Sequence, residues 1–275
     1  MTSHSWSTLT GAQASSAPYI NQLVVSAAHA EQYFTPPNNH PSEPNFIWLE
    51  AGDNLGITDS NSPSANHKAT TEHLSTQLEA AGISWRAYAE GISGTSCPLT
   101  ASGSYNPKHL PQVYFDDVTD GTIGTSAHCI SHVRPYTELA ADLSADRAAR
   151  YTFITPDLCN DMSGIAFGST CASNLIKAGD DWLHTAVPVI TASAAFKRGG
   201  VLFIVWDEGE PTVGAGADGP IGLIAIGASV KPGFASQVHF THSSLLRTIE
   251  EIFGVTPLRG AATSNDLSAL FTSFP

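Results

Sequence analysis

An α/β fold, with a mostly parallel sheet flanked by helices on both faces, follows from three observations. Tyr151–Thr155 (YTFIT) and Val201–Trp206 (VLFIVW) are unbroken apolar runs of strand length, the pattern of a sheet buried on both faces. Between them, Asp180–Phe196 reads as a crossover helix. Helix and strand patterns alternate along most of the chain, as they do in βα units. The 275 residues suit a single domain spanning 1–275.

The remaining elements follow in order. Pro18–Phe34 reads as a helix that stops at Thr35-Pro36-Pro37. Phe46–Ala51 is a short strand after the turn-like Asn38-Asn39-His40-Pro41. Thr71–Ala81 is a helix, with Thr70 or Thr71 as N-cap and Gly82 as its stop. Ser84–Ala89 and Gln112–Phe115 are strands, and Tyr136–Arg150 is a helix. Ile221–Ile226 is a further buried strand, and His242–Phe253 a helix closed by Gly254. Asp53–His67 and Gly91–His109, rich in Ser, Asn, Gly and Pro, are long surface loops.

Composition narrows the function. A hydrophobic fraction of 42% excludes a disordered chain. The low charged fraction, 13%, suits a secreted or periplasmic protein with a hydroxyl-rich surface. A net charge of −13 with no basic stretch excludes nucleic acid and anionic membranes as partners. A small phosphorylated substrate fits that charge if a bound divalent cation reverses the field locally. Cys97, Cys129, Cys159 and Cys171 have no CxxC spacing; they are either four buried thiols or two bridges, Cys97–Cys129 and Cys159–Cys171 by proximity. No apolar run approaches the ~20 residues that span a bilayer. Met1 is followed directly by polar Thr2, Ser3 and His4, so an exported form would have shed its leader.

In an open α/β sheet, ligands bind beyond the carboxyl ends of the strands. Asp207 and Glu208 follow VLFIVW, where adjacent acids repel each other and a metal compensates. The plain alternative is a solvated turn at Gly209. Asp157 and Asp161, four apart after YTFIT, can chelate one ion if the segment turns helically. Otherwise Asp157 caps a turn. His242, opening a helix on the sheet rim, is in position to reach a metal. Ser42, in His40-Pro41-Ser42-Glu43-Pro44-Asn45, is a stiffly held hydroxyl that needs activation to act as a nucleophile. No GxSxG, Walker loop or GxGxxG occurs.

Taken in order, HSWSTLTG, APYINQL, NHPSEPNFIWLEAG, QLEAAGISWRAYAE, YTFITPDLCNDM, GDDWL, FIVWDEG and VKPGF followed by THSSLLRTIEEIFG resemble the phosphoesterase family of bacterial and fungal acid phosphatases and phospholipases C. That family lies within the alkaline-phosphatase-like superfamily. The resemblance covers nearly the whole chain and implies an alkaline-phosphatase-like sheet carrying one or two divalent ions, zinc before calcium, manganese or iron. It implies Ser42 as nucleophile, since Ser42-Glu43-Pro44-Asn45 is similar in setting to the Thr-Phe-Pro-Asn of related phosphodiesterases. Asn45 would hold a phosphate oxygen, and His40 would support. Asp157, Asp161 and His242 would form one metal group, and Asp207 and Glu208 a second, shared with Ser42. Family members carry Glu-Asn before HSW, at the end of a first hydrophobic strand. Thr2 and Ser3 stand there, so that strand and its ligand have no match in this chain; Ser163 stands where relatives carry a histidine. The resemblance implies metal-dependent hydrolysis of phosphate monoesters through a phosphoserine. The alternatives are a phospholipase C-type phosphodiesterase and a remnant that only binds metal or phosphate.

Overall fold

Residues 1–164, 170–210 and 219–274 are described by a computed structural model of the chain. Its strands are β1 (Ala28–Ala30), β2 (Tyr33–Phe34), β3 (Trp85–Ala89), β4 (Val133–Pro135), β5 (Tyr151–Thr155), β6 (Val201–Val205), β7 (Leu223–Gly227), β8 (Ala235–Ser236) and β9 (Phe240–Thr241). Its α-helices are α1 (Pro18–Ser26), α2 (Ser42–Ala51), α3 (Pro63–Asn66), α4 (Leu74–Ala80), α5 (Asp116–Thr119), α6 (Ala127–His132), α7 (Leu139–Ser144), α8 (Leu175–Ala192), α9 (Ala194–Lys197) and α10 (His242–Phe253).

The strands form two main sheets. One is wholly parallel, in the order β4-β3-β5, with Trp85 opposite Tyr151 and Ala89 opposite Thr155. The other runs β6-β7-β1-β8; β7 is antiparallel to β6 and β1, and β1 is parallel to β8. The α/β class stands, and antiparallel pairing is confined to the second sheet. Helices cover both faces, as alternation along β3 shows. Trp85, Ala87 and Ala89 join one core cluster with Leu74 and Leu78 of α4. Tyr88 points the other way, onto Leu139 and Leu143 of α7.

β5 and β6 are edge strands of different sheets. They face each other across an apolar slot of about 590 Å³, closed by Leu183 and Val187 of α8 and Leu245 and Ile249 of α10. Most side chains of these two apolar strands are therefore only half-buried. Met1 sits at the mouth of the slot. Its α-amino group donates to the Val205 carbonyl at 3.1 Å, and its carbonyl accepts from the Asp207 N–H at 3.1 Å.

Several elements differ from the sequence expectation. Phe46–Ala51 is not a strand but most of α2. Every residue of α2 except Trp48 is buried, and a short apolar run buried all round reads alike as strand or helix. Pro44 falls in the first turn, where a missing N–H costs nothing. Gly52 ends the helix at φ 69°, with a Cβ position only 2.7 Å from the Leu258 carbonyl oxygen. Gln112–Phe115 is likewise not a strand; a 3₁₀ turn spans Pro111–Tyr114, opened by Pro111. Pro18–Phe34 is helical only to Ser26 and then supplies β1 and β2. The Tyr136–Arg150 helix shrinks to a 3₁₀ turn and α7. The crossover helix begins earlier, at Leu175, where the Asn174 side chain accepts from the Lys177 N–H.

The Thr71–Ala81 helix is shortened to α4, with His73 rather than Thr70 or Thr71 at its N-cap, and the Asp53–His67 loop holds α3. Other expectations stand. α10 spans His242–Phe253 with a Thr241/Ser244 capping box and Gly254 at φ 68°. The bridges are Cys97–Cys129 and Cys159–Cys171. Asp180, from the GDDWL segment, plays a structural part. Its carboxylate accepts from the N–H groups of Tyr19 and Ile20 and caps α1.

Candidate active site

β6 ends at the sheet rim and delivers Asp207 and Glu208 into a buried position. The first turn of α2 brings Ser42 to meet them. The Ser42 hydroxyl donates to Glu208 Oε1 at 2.7 Å, and His40 Nδ1 donates to Glu208 Oε2 at 2.9 Å. Glu208 is thus held from both sides, by His40 just before α2 and by Ser42 at its first position. Ser42 also lies at the positive end of a ten-residue helix, where an anion is favoured.

Asp207 is the uncompensated group. Both of its oxygens are buried without a well-formed hydrogen bond. Burial first, and the Glu208 carboxylate second, push its pKa up to about 7, against the easing effect of the Thr2 and Ser42 hydroxyls. A buried carboxyl in this state is stabilised by a proton or by a cation. Burial lowers the pKa of the neighbouring Met1 α-amino group, although Asp207 and Asp161 pull it the other way, so that amine does not settle the Asp207 charge.

The structure does not assemble Asp157, Asp161 and His242 as a ligand group. Among the described residues they do not bring three ligand atoms together. Asp157 caps the turn after β5, accepting from the N–H groups of Cys159 and Asn160 and from the Ser104 hydroxyl. His242 is buried, and both ring nitrogens are engaged. Nε2 donates to the Asp207 carbonyl at 2.7 Å, and Nδ1 accepts from the Tyr33 hydroxyl at 2.9 Å. Burial lowers its pKa to about 4, so the ring is neutral and braces the β6 terminus. Asn45 is also placed otherwise than expected. Its amide donates to the Asn39 carbonyl at 2.7 Å and accepts from the Asn39 side chain at 2.9 Å, fixing the turn that carries His40 and Ser42.

Asp161 does reach the site, with a partner that sequence reasoning passed over. Its carboxylate accepts from His109 Nδ1 at 2.8 Å, and its carbonyl accepts from the Thr2 N–H. His109 stacks on Phe46 at 4.7 Å, one helical turn along α2 from Ser42. Its Nε2 is buried without a partner, and burial lowers its pKa despite Asp161. His109 ends a segment that reads as surface loop, and no spacing marks it. Tyr33 was hidden by the helix reading of Pro18–Phe34. Asp207, Glu208 and Ser42 thus meet at the end of β6, and the Asp161–His109 pair adjoins them through Thr2.

The model of the Phosphoesterase family matches residues 2–256. The chain is 29% identical to a phosphatidylinositol-3-phosphatase of Mycobacterium tuberculosis over 90% of this chain and 73% of that protein. It is 22% identical to a phosphate-repressible acid phosphatase of Penicillium chrysogenum over 80% of this chain; it spans 51% of that fungal protein. Among solved structures it is similar to a phosphonate monoester hydrolase from Silicibacter pomeroyi, with a TM-score of 0.61, 12% identity, and coverage of 98% and 75%. A sulfatase from Pseudoalteromonas sp. gives a TM-score of 0.61 at 10% identity, with coverage of 98% and 70%. Such structural likeness, at low identity, shows the fold.

Proposed function

Because the chain belongs to the Phosphoesterase family, and is a phosphoric ester hydrolase on that membership, we propose that it cleaves small phosphate monoesters with Ser42 as nucleophile. One or two divalent ions, zinc before calcium, manganese or iron, would be held by Asp207 and Glu208 beside Ser42. The observation that carries this reading is the Ser42–Glu208 hydrogen bond of 2.7 Å next to the uncompensated Asp207 carboxylate. A bound cation lowers the pKa of the serine hydroxyl and offsets charge on the phosphorus oxygens.

The side chains do the rest. Glu208 takes the Ser42 proton through Oε1 while His40 fixes its other oxygen. Ser42 Oγ bonds to phosphorus and the ester oxygen leaves, taking up a proton. The α2 N-terminus steadies the charge on the phosphoryl oxygens. Water then attacks phosphorus, the phosphoserine bond breaks, and Ser42 regains its proton. His109, with Nδ1 held by Asp161 and Nε2 unpartnered, is the group best placed to relay protons for the leaving oxygen. The two disulfides support a secreted or periplasmic setting, and no helix among the described residues is long and apolar enough to cross a membrane.

A chromogenic phosphate monoester, offered with and without zinc, manganese and calcium, tests the proposal. Metal-dependent turnover exceeding that of a matched diester is expected. Faster cleavage of the diester would favour the phospholipase C-type reading. Binding of metal by a folded protein without turnover would favour the non-catalytic one.

The slot between β5 and β6 belongs to this proposal. An extended apolar strand lying between them would unite the two sheets and lead into Met1 at the site. Fusing five Val, Ile and Leu residues ahead of Met1 is expected to raise the melting temperature by at least about 3 °C. An unchanged melting temperature, with the added residues open to proteolysis, would exclude strand insertion.

A further inference from the structure

At the end of the β4-β3-β5 sheet opposite to Asp157 and Asp161, two histidines and a glutamate converge on one point. His128 and His132 lie four apart on α6, on one face. Glu79 of α4 meets them: its Oε1 is 2.8 Å from His128 Nε2 and 3.4 Å from His132 Nε2. The three ligand atoms lie within 4.8 Å of one another. The neighbouring Trp85 is the first residue of β3, paired with Tyr151. The candidate active site lies beyond the other end of these strands, separated by about 13 Å of strand rise.

The protonation pattern calls for a positive charge at this point. His128 Nδ1 faces the Asp117 carbonyl at 3.0 Å, and His132 Nδ1 faces the His128 carbonyl at 3.0 Å. A carbonyl only accepts, so His128 Nδ1 carries the hydrogen; His132 Nδ1 also faces the Ser131 hydroxyl at 3.0 Å, but that hydroxyl donates to the His128 carbonyl at 2.8 Å, so His132 Nδ1 carries the hydrogen too. In the neutral rings both Nε2 lone pairs therefore point at a carboxylate oxygen. Three acceptors around one point repel unless a proton or a metal ion lies between them. Carbonyl-anchored imidazoles are the usual outer support of histidine metal ligands.

Rigid neighbours hold the arrangement. Trp85 Nε1 donates to Glu79 Oε1 at 2.7 Å, and its ring stacks on His132 at 4.5 Å. Cys129, next to His128, ties α6 to the loop at Cys97. We propose that Glu79, His128 and His132 form a zinc site that clamps α4 to α6, separate from the catalytic centre. Two imidazoles and one carboxylate suit zinc over calcium or magnesium, and half-exposed ligands leave room for a water as the fourth. A proton competes for the same place. Burial, with His128 and Arg86 nearby, holds His132 down, while Glu79 and Asp117 raise His128 against its own burial.

Zinc titration of chelator-stripped protein by calorimetry tests the site, with thermal melting in parallel. Asp207→Asn is the background, so that the result does not depend on the catalytic proposal. In that background, one zinc is expected to bind and to raise the melting temperature by a few degrees. His128→Gln and His132→Gln should each weaken binding at least 100-fold and lose the thermal gain, with unchanged melting in the absence of zinc. Equal zinc affinity in the histidine variants would overturn the site, as would binding with no thermal gain.

Discussion

Ser42→Ala is expected to lower metal-dependent monoester hydrolysis by about 10³-fold or more while the protein stays folded. The contrast follows from what the side chain touches. Its hydroxyl donates to Glu208 at 2.7 Å, and its backbone begins α2, where alanine is well tolerated. Loss of one such hydrogen bond to a carboxylate costs about 1.5–3 kcal/mol of stability. Steady-state kinetics together with a melting curve check both halves. A variant retaining a tenth of the activity would remove Ser42 from the nucleophile's place and leave water attack as the route.

Asp207→Asn is expected to remove turnover and weaken zinc binding at the catalytic site by at least about 100-fold, yet leave the metal-free protein as stable or more so. The amide matches the carboxyl in shape and carries no charge into a buried position where Glu208 already repels it. Because the Asp207 pKa stands near 7, a proton competes with the metal below that pH. Metal affinity of the native protein should therefore fall from pH 7 to pH 5, and the variant should lose most of that slope.

The metal-free protein carries the matching stability signature. The folded pKa of Asp207 lies above its usual 3.8, so the folded state holds the proton more tightly and stability falls as pH rises from about 4 to about 7. Glu43 and Glu250, both pushed up to about 8 by burial, act in the same direction. His242, lowered to about 4, acts oppositely between about 4 and 6.5. Subtracting the Asp207→Asn profile from the native one isolates the Asp207 contribution. A difference that does not change with pH would mean that this carboxyl is not strained.

Strongly periodic or fully buried elements were legible from sequence. YTFIT and VLFIVW announce β5 and β6 because short runs of aromatic and β-branched residues fit a strand of a helix-covered sheet, although beside the slot both strands are only half-buried. α10 carries its own boundaries, in a capping box and a terminal glycine. α2 was not legible as a helix, since burial all round erases the amphipathic period. The antiparallel pairs of β7 were equally hidden, because pairing direction is set by tertiary packing and leaves no mark on a short apolar run.

The site divides along the same line. Asp207, Glu208, Ser42 and His40 follow directly from a strand end and a proline-framed turn, and they meet. Asp157, His242 and Asn45 are polar residues at strand and helix ends whose hydrogen bonds the tertiary fold directs elsewhere. His109 reaches the site through a loop tied down by the Cys97–Cys129 bridge and by the buried Tyr105, whose hydroxyl donates to the Pro98 carbonyl. Nothing local in the Asn106-Pro107-Lys108-His109 sequence points inward.

The phosphoserine intermediate is the most direct measure of the account. Protein mixed with a phosphate monoester and zinc, quenched in acid within the first turnover and digested, should show a phosphoryl group on the peptide containing Ser42. The Ser42→Ala protein should show none. Turnover with no phosphorylated peptide, or a phosphoryl group on another residue, would contradict the proposed nucleophile.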